Sequence, residues 1–286
     1  MWSEAELATI RRAYARQVLF AADVSSRELE DAFASVKRED FLGSGPWKVF
    51  RWTGYADTPS ADPCYIYTDN LVAIIPARML NNGQPSSHAA WINSAAPRPG
   101  EHVVHIGAGT GYYSAILAQI VGSAGHVTAI EYEPELAGRA NANLARMGHV
   151  EVKQGDGATV RFDPADVIYV SAGATRPMDA WLDGLKDGGR LIIPLTTNAA
   201  FSTSAPRGPQ GAMFCIERRG AEFLVKFISN AAFIPGEGMR DPDSEAALAE
   251  GFAKGGAESV TRLYRTDDVP EERCWVRAPG WTLAYS

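Results

Sequence analysis

The sequence predicts an α/β fold in which helices cover a mostly parallel β-sheet that ends in an antiparallel hairpin. Short apolar runs alternate with helical segments from residue 102 onward, which is typical of a parallel sheet with helices on both faces. A glycine cluster separates the first apolar run from the helix after it. Two later strand-like runs are joined by Arg219-Gly220, and this short connection predicts the hairpin.

Two amphipathic helices are predicted at the N-terminus. Each begins with a capping-box pattern, Ser3 with Glu6 and Ser25 with Glu28, in which the two side chains satisfy free backbone N–H groups. Apolar residues recur at helical spacing in both segments. Each helix therefore needs a larger body against which to bury one face.

The next stretch is predicted to be largely irregular. Residues 43–65 are rich in glycine, proline and aromatic residues and show no clear period, so we predict a loop. A second loop is predicted over 81–87, followed by a helix over 88–95. Prolines and a glycine then interrupt the chain before residue 102.

The alternating region follows, with its elements at short intervals. Apolar runs predict parallel strands at 102–106, 126–130, 150–154, 166–171 and 190–195. Periodic segments between them predict helices that end near 121 and that span 133–147 and 177–185. Hairpin strands are predicted at 211–218 and 222–228, and one further helix at 244–253 in a polar tail.

Composition limits the classes of protein to which the chain can belong. The 286 residues are 46% hydrophobic and 21% charged, which allows a sizeable core and argues against general disorder. The net charge of -7 argues against nucleic acid as the main partner. The sequence predicts neither a transmembrane helix nor a signal peptide. Three widely spaced cysteines predict neither a disulfide framework nor a metal site, so we expect a reduced, cytoplasmic protein.

The strongest local signal is a glycine loop between the first predicted parallel strand and its helix. Gly107, Gly109 and Gly111 lack a β-carbon, so the backbone can turn sharply and approach a ligand closely. We therefore predict that all three contact a cofactor. A dinucleotide fingerprint has the spacing G-x-G-x-x-G, whereas Tyr112 follows Gly111 here. The spacing counts against a nicotinamide dinucleotide.

Acidic residues follow the next two predicted strands, at the edge where open parallel sheets bind ligands. Glu131 ends the second strand about 20 residues after the glycine loop, where a carboxylate can accept hydrogen bonds from ribose hydroxyls. Gly155-Asp156-Gly157 follows the third strand, and Asp156 could accept a hydrogen bond from the exocyclic amine of adenine. An ordinary strand-end acid and a common turn are the structural alternatives. Together these features predict a cofactor that contains a nucleoside.

This order of motifs resembles the class I S-adenosylmethionine-dependent methyltransferases over residues 100–230. Within that class the chain is similar to the protein-L-isoaspartate O-methyltransferase family. Three flanking motifs carry the likeness: Val36-Lys-Arg-Glu-Asp-Phe41, Tyr67-Thr-Asp69 and Phe233-Ile-Pro235. The resemblance implies a Rossmann-like sheet and S-adenosylmethionine as cofactor. It implies cofactor contacts at Gly107, Gly109, Glu131, Asp156 and Gly157.

The loop that lies beside the methyl acceptor in that family is altered here. The family pattern Gly-x-Thr-Ile-Ser-Gln-Pro aligns with residues 83–89, where Gly83 and Ser87 match and the other defined positions differ. We predict Ser87 and His88 as catalytic-site residues. Ser87 would hydrogen-bond the acceptor carboxylate or the cofactor, and His88 would take a proton from a hydroxyl or amine acceptor. The alternative for His88 is capping or packing at the start of a helix.

The predicted function is S-adenosylmethionine-dependent O-methylation of a carboxyl group on an isoaspartyl or related peptide. A carboxylate is already ionised at neutral pH, so the reaction needs positioning and no general base. One alternative is a methyltransferase of another peptide or a small metabolite. Two others are a nicotinamide-dependent oxidoreductase and a non-catalytic nucleoside-binding module. The expected partner is a peptide, protein or small-molecule methyl acceptor, with neither nucleic acid nor a membrane involved.

Three segments of different character follow from these assignments. We expect residues 1–96 to hold an N-terminal helical cap and the substrate loop, and residues 97–235 to form the S-adenosylmethionine-binding catalytic domain. Residues 236–286 are expected to be a C-terminal extension. Neither its role nor the oligomeric state follows from the sequence.

Overall fold

Residues 2–51, 54–201 and 209–285 are described by the computed structural model, and they form two β-sheets flanked by helices. The larger sheet has ten strands and the smaller sheet has four. The central strands of the larger sheet are parallel, and a hairpin continues it in antiparallel fashion. The predicted α/β fold with N-terminal helices is therefore confirmed.

The N-terminal helices are α1 (Glu4–Ala21), α2 (Arg27–Ser35) and the short α3 (Glu39–Leu42). Ser3 and Glu6 form the predicted capping box of α1. At α2 the predicted cap is wrong by one residue, because the hydroxyl of Ser26, and not of Ser25, accepts a hydrogen bond from the Leu29 N–H at 3.2 Å. Ser26 has the extended backbone that a cap requires.

The segment predicted as loops contains a four-stranded antiparallel sheet, so that prediction is wrong. The strands are β1 (Lys48–Arg51), β2 (Gly54–Asp57), β3 (Val72–Ile75) and β4 (Leu80–Asn82), in the order β2-β1-β3-β4. Each strand has only three or four residues, too few to show an alternating pattern. A small apolar cluster packs with this sheet: Leu42, Trp47, Val49, Ile66 and Val72.

Helix α4 (Pro85–Ala95) follows this sheet and begins before the predicted residue 88. Pro85 occupies the first turn, where the fixed φ of proline suits a helix and its missing N–H costs no hydrogen bond. Ser87 and His88 therefore belong to the first turn of α4 and not to a loop.

Five parallel strands form the centre of the larger sheet and agree closely with the predicted ones. They are β5 (His102–Ile106), β6 (His126–Glu131), β7 (Val150–Gln154), β8 (Ala165–Val170) and β9 (Leu185–Thr196). Three helices connect successive strands: α5 (Tyr112–Val121), α6 (Pro134–Leu144) and α7 (Asp179–Gly184). The strand order β9-β8-β5-β6-β7 places the carboxyl ends of β5, β6 and β8 near one another.

The predicted hairpin is confirmed. Its strands are β10 (Gly211–Arg219) and β11 (Glu222–Asn230), and β10 pairs with β9. After it come α8 (Pro242–Lys254) and three strands that the sequence did not indicate. These are β12 (Arg262–Tyr264), β13 (Cys274–Ala278) and β14 (Trp281–Ala284). They continue the sheet in the order β11-β12-β14-β13, so β14 lies between two strands that precede it in the chain.

The core is divided between the two faces of the larger sheet, because side chains alternate along each strand. On one face Val103 and Tyr169 pack with apolar residues of α1, α2, α4 and α5. On the other face Val104 and Ile168 belong to a cluster that includes α7, α8 and Trp281. None of the helices in the described ranges has the length and hydrophobicity of a membrane span.

Candidate active site

A glycine loop leads from β5 to α5 and lines two adjoining cavities. Gly107 and Gly109 have φ values of +78° and +58°, in the left-handed region that favours glycine. A Cβ atom at Gly107 would lie 3.2 Å from the backbone of Ser171, so the loop passes close to the end of β8. The larger cavity has a volume of about 560 Å³ and the smaller one about 210 Å³. Gly107, Gly109 and Ser171 line both.

Gly111, the third glycine predicted to contact a cofactor, lies away from these cavities. Its φ is +94°, and a Cβ atom there would lie 2.8 Å from Cδ1 of Leu144 in α6. It lines neither of the two cavities. The structure gives Gly111 a packing role, in which the missing side chain lets α6 approach the loop. The geometry does not support a cofactor contact for this residue.

Glu131 ends β6 and holds the glycine loop in place. Its Oε2 accepts a hydrogen bond from the Gly109 N–H at 2.7 Å, and its Oε1 accepts one from the Glu133 N–H at 3.0 Å. The side chain is buried and lines the smaller cavity. Burial raises the pKa of Glu131, while the two backbone hydrogen bonds favour the ionised form. A contact between this carboxylate and a ribose remains a prediction.

Asp156 and Gly157 lie in the turn after β7. The Oδ1 atom of Asp156 accepts a hydrogen bond from the Ala158 N–H at 2.9 Å. A Cβ atom at Gly238 would lie 2.3 Å from Oδ2, so the backbone of the tail passes directly beside this carboxylate. Gly157 lines the smaller cavity, whereas Asp156 holds the turn behind it. A contact between Asp156 and an adenine remains a prediction.

One buried hydroxyl beside the glycine loop has no partner within the described ranges. Thr110 is 1% exposed and lines the larger cavity, and its Oγ1 makes no hydrogen bond there. A buried polar group without a partner costs about 1–3 kcal/mol, unless a ligand supplies the missing hydrogen bond. Gly107, Gly109, Glu131 and Thr110 together suit a ligand that has a nucleoside at one end and polar groups at the other. S-adenosylmethionine has this composition.

Ser87 and His88 line the larger cavity from the first turn of α4. The His88 ring is buried and stacks on Tyr113, with ring centroids 3.6 Å apart. Its Nδ1 lies 2.8 Å from the hydroxyl oxygen of Tyr169. Burial lowers the pKa of His88 well below its usual value, so the imidazole is neutral. The structure thus brings both predicted residues to one cavity, with His88 packed inside the turn and not capping it.

The Tyr67-Thr-Asp69 motif holds the first turn of α4. Asp69 accepts hydrogen bonds from the Ser86 N–H at 2.8 Å and from the Ser86 hydroxyl at 2.6 Å. The Tyr67 hydroxyl donates to the carboxylate of Glu39 in α3. Burial and this neighbouring carboxylate raise the pKa of Tyr67. The motif therefore positions the turn that carries Ser87 and His88.

Arg38, from the other N-terminal motif, is fully buried close to the same turn. Its guanidinium donates hydrogen bonds to four oxygen atoms: the carbonyls of Ile66 at 2.7 Å, Thr68 at 3.0 Å and Asn70 at 2.9 Å, and Oδ1 of Asn82 at 3.0 Å. These bonds tie the segment before β3 to the end of β4. The sequence does not reveal this role, because most of the partners are backbone carbonyls, which any residue provides.

Sequence reasoning missed several residues that surround the larger cavity. His105 was not among the predicted site residues, yet it lines the larger cavity and lies between the hydroxyls of Ser114 and Ser171. Burial lowers its pKa to about 3. An apolar wall is formed by Phe233 and Trp91, whose ring centroids are 5.1 Å apart. The position of Ser171 just after β8 is the signal that could have identified it. Phe233 was noted only as part of the Phe233-Ile-Pro235 motif and not as a site residue.

The chain has relatives of known name. The family described as protein-L-isoaspartate(D-aspartate) O-methyltransferase matches residues 18–235. The chain is similar to the protein-L-isoaspartate O-methyltransferase of Ignicoccus hospitalis, with 30% identity over 234 residues that cover 79% of this chain and 96% of the relative. It is 40% identical over 211 residues to the protein of the same name from Aeropyrum pernix, covering 70% of this chain and 72% of the relative.

Two solved structures share the fold. One, named protein-L-isoaspartate O-methyltransferase, has a TM-score of 0.61 and 23% identity, and the match covers 89% of this chain and 74% of that chain. The other is a putative protein-L-isoaspartate O-methyltransferase from Plasmodium falciparum in complex with S-adenosyl-L-homocysteine. It has a TM-score of 0.62 and 15% identity, covering 79% of this chain and 98% of that chain. At these identities the likeness concerns the fold alone.

Proposed function

This chain belongs to the protein-L-isoaspartate O-methyltransferase family, and we propose that it methylates the free carboxylate of an isoaspartyl residue in a peptide or protein. It is an S-adenosylmethionine-dependent O-methyltransferase. The observation that supports the proposed acceptor is the pair of adjoining cavities that share the glycine loop. One cavity borders Glu131 and the other borders Ser87 and His88, so a cofactor and an acceptor would meet at this loop.

The smaller cavity and the neighbouring part of the loop would hold the cofactor. Gly107 and Gly109 allow a close backbone approach, and Glu131 offers its carboxylate to the ribose hydroxyls. Thr110 offers the buried hydroxyl that lacks a protein partner within the described residues. Gly157 borders the same space, and Asp156 stays the candidate for the adenine amine.

The chemistry asks little more of the protein than orientation. Bound S-adenosylmethionine supplies a methyl group that its sulfonium makes electrophilic. An isoaspartyl linkage leaves a carboxylate that is ionised at neutral pH, so no residue has to remove a proton. Ser87 would donate a hydrogen bond to this carboxylate. Leu71, Ile74 and Phe233 line the larger cavity with apolar surface and would exclude water from the reacting atoms.

Methyl transfer from labelled S-adenosylmethionine to an isoaspartyl peptide tests the proposal, with the aspartyl peptide of the same sequence as control. Base-labile label on the isoaspartyl peptide alone is the expected result. Label on neither peptide, from a protein that demonstrably binds the cofactor, would mean that another peptide or a metabolite is the acceptor.

We also propose that three segments of the chain divide the site between them. Residues 1–96 would supply the acceptor wall and the turn with Ser87 and His88, and residues 97–235 most of the cofactor site. Residues 236–286 would close the cofactor site, because Gly236 and Met239 line the smaller cavity. This role for the last segment could not be derived from the sequence.

A further inference from the structure

Five buried or cavity-lining polar side chains form a series that leads from α5 beneath the larger cavity to α4. They are, in order, Ser114, His105, Ser171, Tyr169 and His88, and we call them the relay. Ser114 Oγ lies 2.8 Å from His105 Nδ1, and His105 Nε2 lies 3.0 Å from Ser171 Oγ. The Tyr169 hydroxyl lies 2.8 Å from His88 Nδ1. Burial raises the pKa of Tyr169, so its hydroxyl keeps its proton.

Both histidines of the relay are neutral, because burial lowers the pKa of each. A neutral imidazole has one nitrogen that donates a hydrogen bond and one that accepts. Each histidine can therefore carry its proton on either ring nitrogen. The choice at His88 gives the cavity either a donor or an acceptor.

Ser114 decides which nitrogen of His105 carries the proton. Its side chain is fully buried, and among the described residues His105 Nδ1 is the partner that its hydroxyl has. If Nδ1 carried the proton, the Ser114 hydroxyl would be left with a buried proton and no acceptor, which is strongly disfavoured. Ser114 therefore donates to Nδ1, and His105 carries its proton on Nε2.

The same argument fixes the proton of His88. His105 Nε2–H donates to the Ser171 oxygen. The Tyr169 hydroxyl is fully buried, and among the described residues His88 Nδ1 is the hydrogen-bond partner that it has, so it must donate there, as Ser114 does to His105. Since His88 is neutral and accepts at Nδ1, its own proton is on Nε2.

The His88 Nε2 atom faces the larger cavity. A Cβ atom at Gly83 would lie 2.1 Å from it, so Nε2 lies beside a residue of the cavity wall. The described residues provide no hydrogen-bond partner for Nε2. Among the described residues, the side-chain nitrogens that are fully buried and lack a partner all belong to arginines. His88 Nε2 is not one of them, so it is accessible from the cavity.

We propose that Tyr169 holds His88 in its Nε2–H form, so that His88 donates a hydrogen bond to the acceptor carboxylate and does not act as a general base. The inference rests on the proposed function, because a carboxylate acceptor needs a donor and no base. His88 is then an acceptor-binding residue. Tyr169 is a positioning residue that acts through it. This replaces the proton-accepting role that the sequence predicted for His88.

Nitrogen-15 NMR of the protein with labelled histidine tests these two proton positions without any turnover. Protonated and unprotonated ring nitrogens resonate far apart, and the chain has only five histidines to assign. Spectra of His88→Gln and His105→Gln identify the two signals. We expect the Nε2–H form at both residues in the wild-type protein. The Nδ1–H form at His88 would overturn the inference.

Tyr169→Phe tests the link to the acceptor, because it removes the hydroxyl that fixes His88 and keeps the ring. We expect a mixture of His88 tautomers and a rise of about ten-fold in KM for the isoaspartyl peptide, as for the loss of a hydrogen bond to a charged group. Cofactor affinity and kcat should change little. Tyr264→Phe is the matched control, since its phenol accepts a hydrogen bond from Arg273 at 2.9 Å in the tail. An unchanged KM in Tyr169→Phe would overturn the role of His88 in acceptor binding.

A titration separates failure of this inference from failure of the proposed function. S-adenosyl-L-homocysteine and the isoaspartyl peptide are added to the labelled protein, so that the complex forms and no methyl group can move. We expect the His88 Nε2–H signal to shift with the isoaspartyl peptide and not with the aspartyl control. If the isoaspartyl peptide is methylated without this shift, the inference is wrong and the proposed function stands. If neither methylation nor the shift occurs while His88 is in the Nε2–H form, the proposed acceptor is wrong, and so is the donor role of His88.

Discussion

Arg38 places a positive charge in the interior, where four oxygen atoms and the ring of Tyr112 surround it. A guanidinium loses its hydration on burial, and each hydrogen bond to a charged group offsets about 1.5–3 kcal/mol of that loss. Three of the acceptors belong to residues 66–70, the segment that also carries Asp69. The same side chain therefore stabilises the fold and the acceptor side of the site.

Replacing this residue tests how much the buried charge contributes. Arg38→Met keeps much of the volume and leaves the carbonyls of Ile66, Thr68 and Asn70 without this donor. We expect the free energy of unfolding to fall by about 3 kcal/mol, measured by urea denaturation. Arg27→Met is the control, since the Arg27 side chain is 91% exposed, and its effect should stay below about 0.5 kcal/mol. Similar losses in both variants would contradict the role of Arg38.

The buried histidine His105 couples stability to pH. Its pKa is about 3 in the fold against an ordinary value of 6.5, so between these values the unfolded chain binds a proton that the folded chain does not. The contribution of His105 to the free energy of unfolding is fully present above pH 6.5. It falls as the pH decreases toward 3, by up to about 1.4 kcal/mol per pH unit. We expect His105→Gln to flatten the dependence of the unfolding free energy on pH between about 5 and 7. Equal slopes in the two proteins would argue against a neutral buried imidazole.

Individual residues show which parts of the site could be predicted from the sequence and which could not. Ser87, His88 and Glu131 were identified as site residues, and each borders one of the two cavities. The three loop glycines could not be told apart, because all of them have positive φ. What separates Gly111 from the others is contact with Leu144, a residue of another helix, and no local pattern contains that information.

At the scale of elements, the acceptor side of the site consists of short segments that are joined by hydrogen bonds. The first turn of α4 begins with a proline, and its Ser86 N–H is satisfied by Asp69 from the segment before β3. The strands β1 to β4 could not be predicted, since runs of three or four residues have no measurable period. The long alternating region had such a period, and there the strands and helices were predicted within a few residues.

Removal of the Asp69 carboxylate should loosen this turn. We expect Asp69→Ala to lower the free energy of unfolding by about 1 kcal/mol and to raise KM for the peptide acceptor several-fold. Asp241→Ala is the matched control, because Asp241 caps α8 by accepting from the Ser244 N–H at 2.7 Å. It should cost about the same stability and leave the acceptor KM unchanged. A raised acceptor KM in the control would remove the specific role of Asp69.

At the scale of the whole molecule, the larger sheet joins the cofactor site to the tail. Trp275 and Trp281 are buried in the same cluster as Val104 and Ile168 of the central strands. The alternating pattern predicted the parallel strands and the hairpin, and these make up most of the sheet. The tail strands escaped prediction because each has only three to five residues, and because β12 pairs with segments distant in sequence.

The tail should accordingly contribute to global stability. Trp281 is 2% exposed, and its Nε1 donates to the hydroxyl of Ser244 at 3.1 Å. We expect Trp281→Ala to lower the free energy of unfolding by about 3–5 kcal/mol in urea denaturation. Trp2→Ala, at an exposed tryptophan, is the control and should cost less than about 1 kcal/mol. A small loss at Trp281 would mean that the tail folds independently of the sheet.

The position of β14 between β12 and β13 matters while a ribosome is still making the chain. Synthesis runs from the N-terminus, so β12 and β13 emerge before the strand that joins them. Until residues 281–284 arrive, β13 has no neighbour and one edge of β12 presents unpaired backbone groups that can join another nascent chain. A premature stop codon just before residue 281 would therefore yield an aggregation-prone product, even though every residue of the glycine loop had been translated.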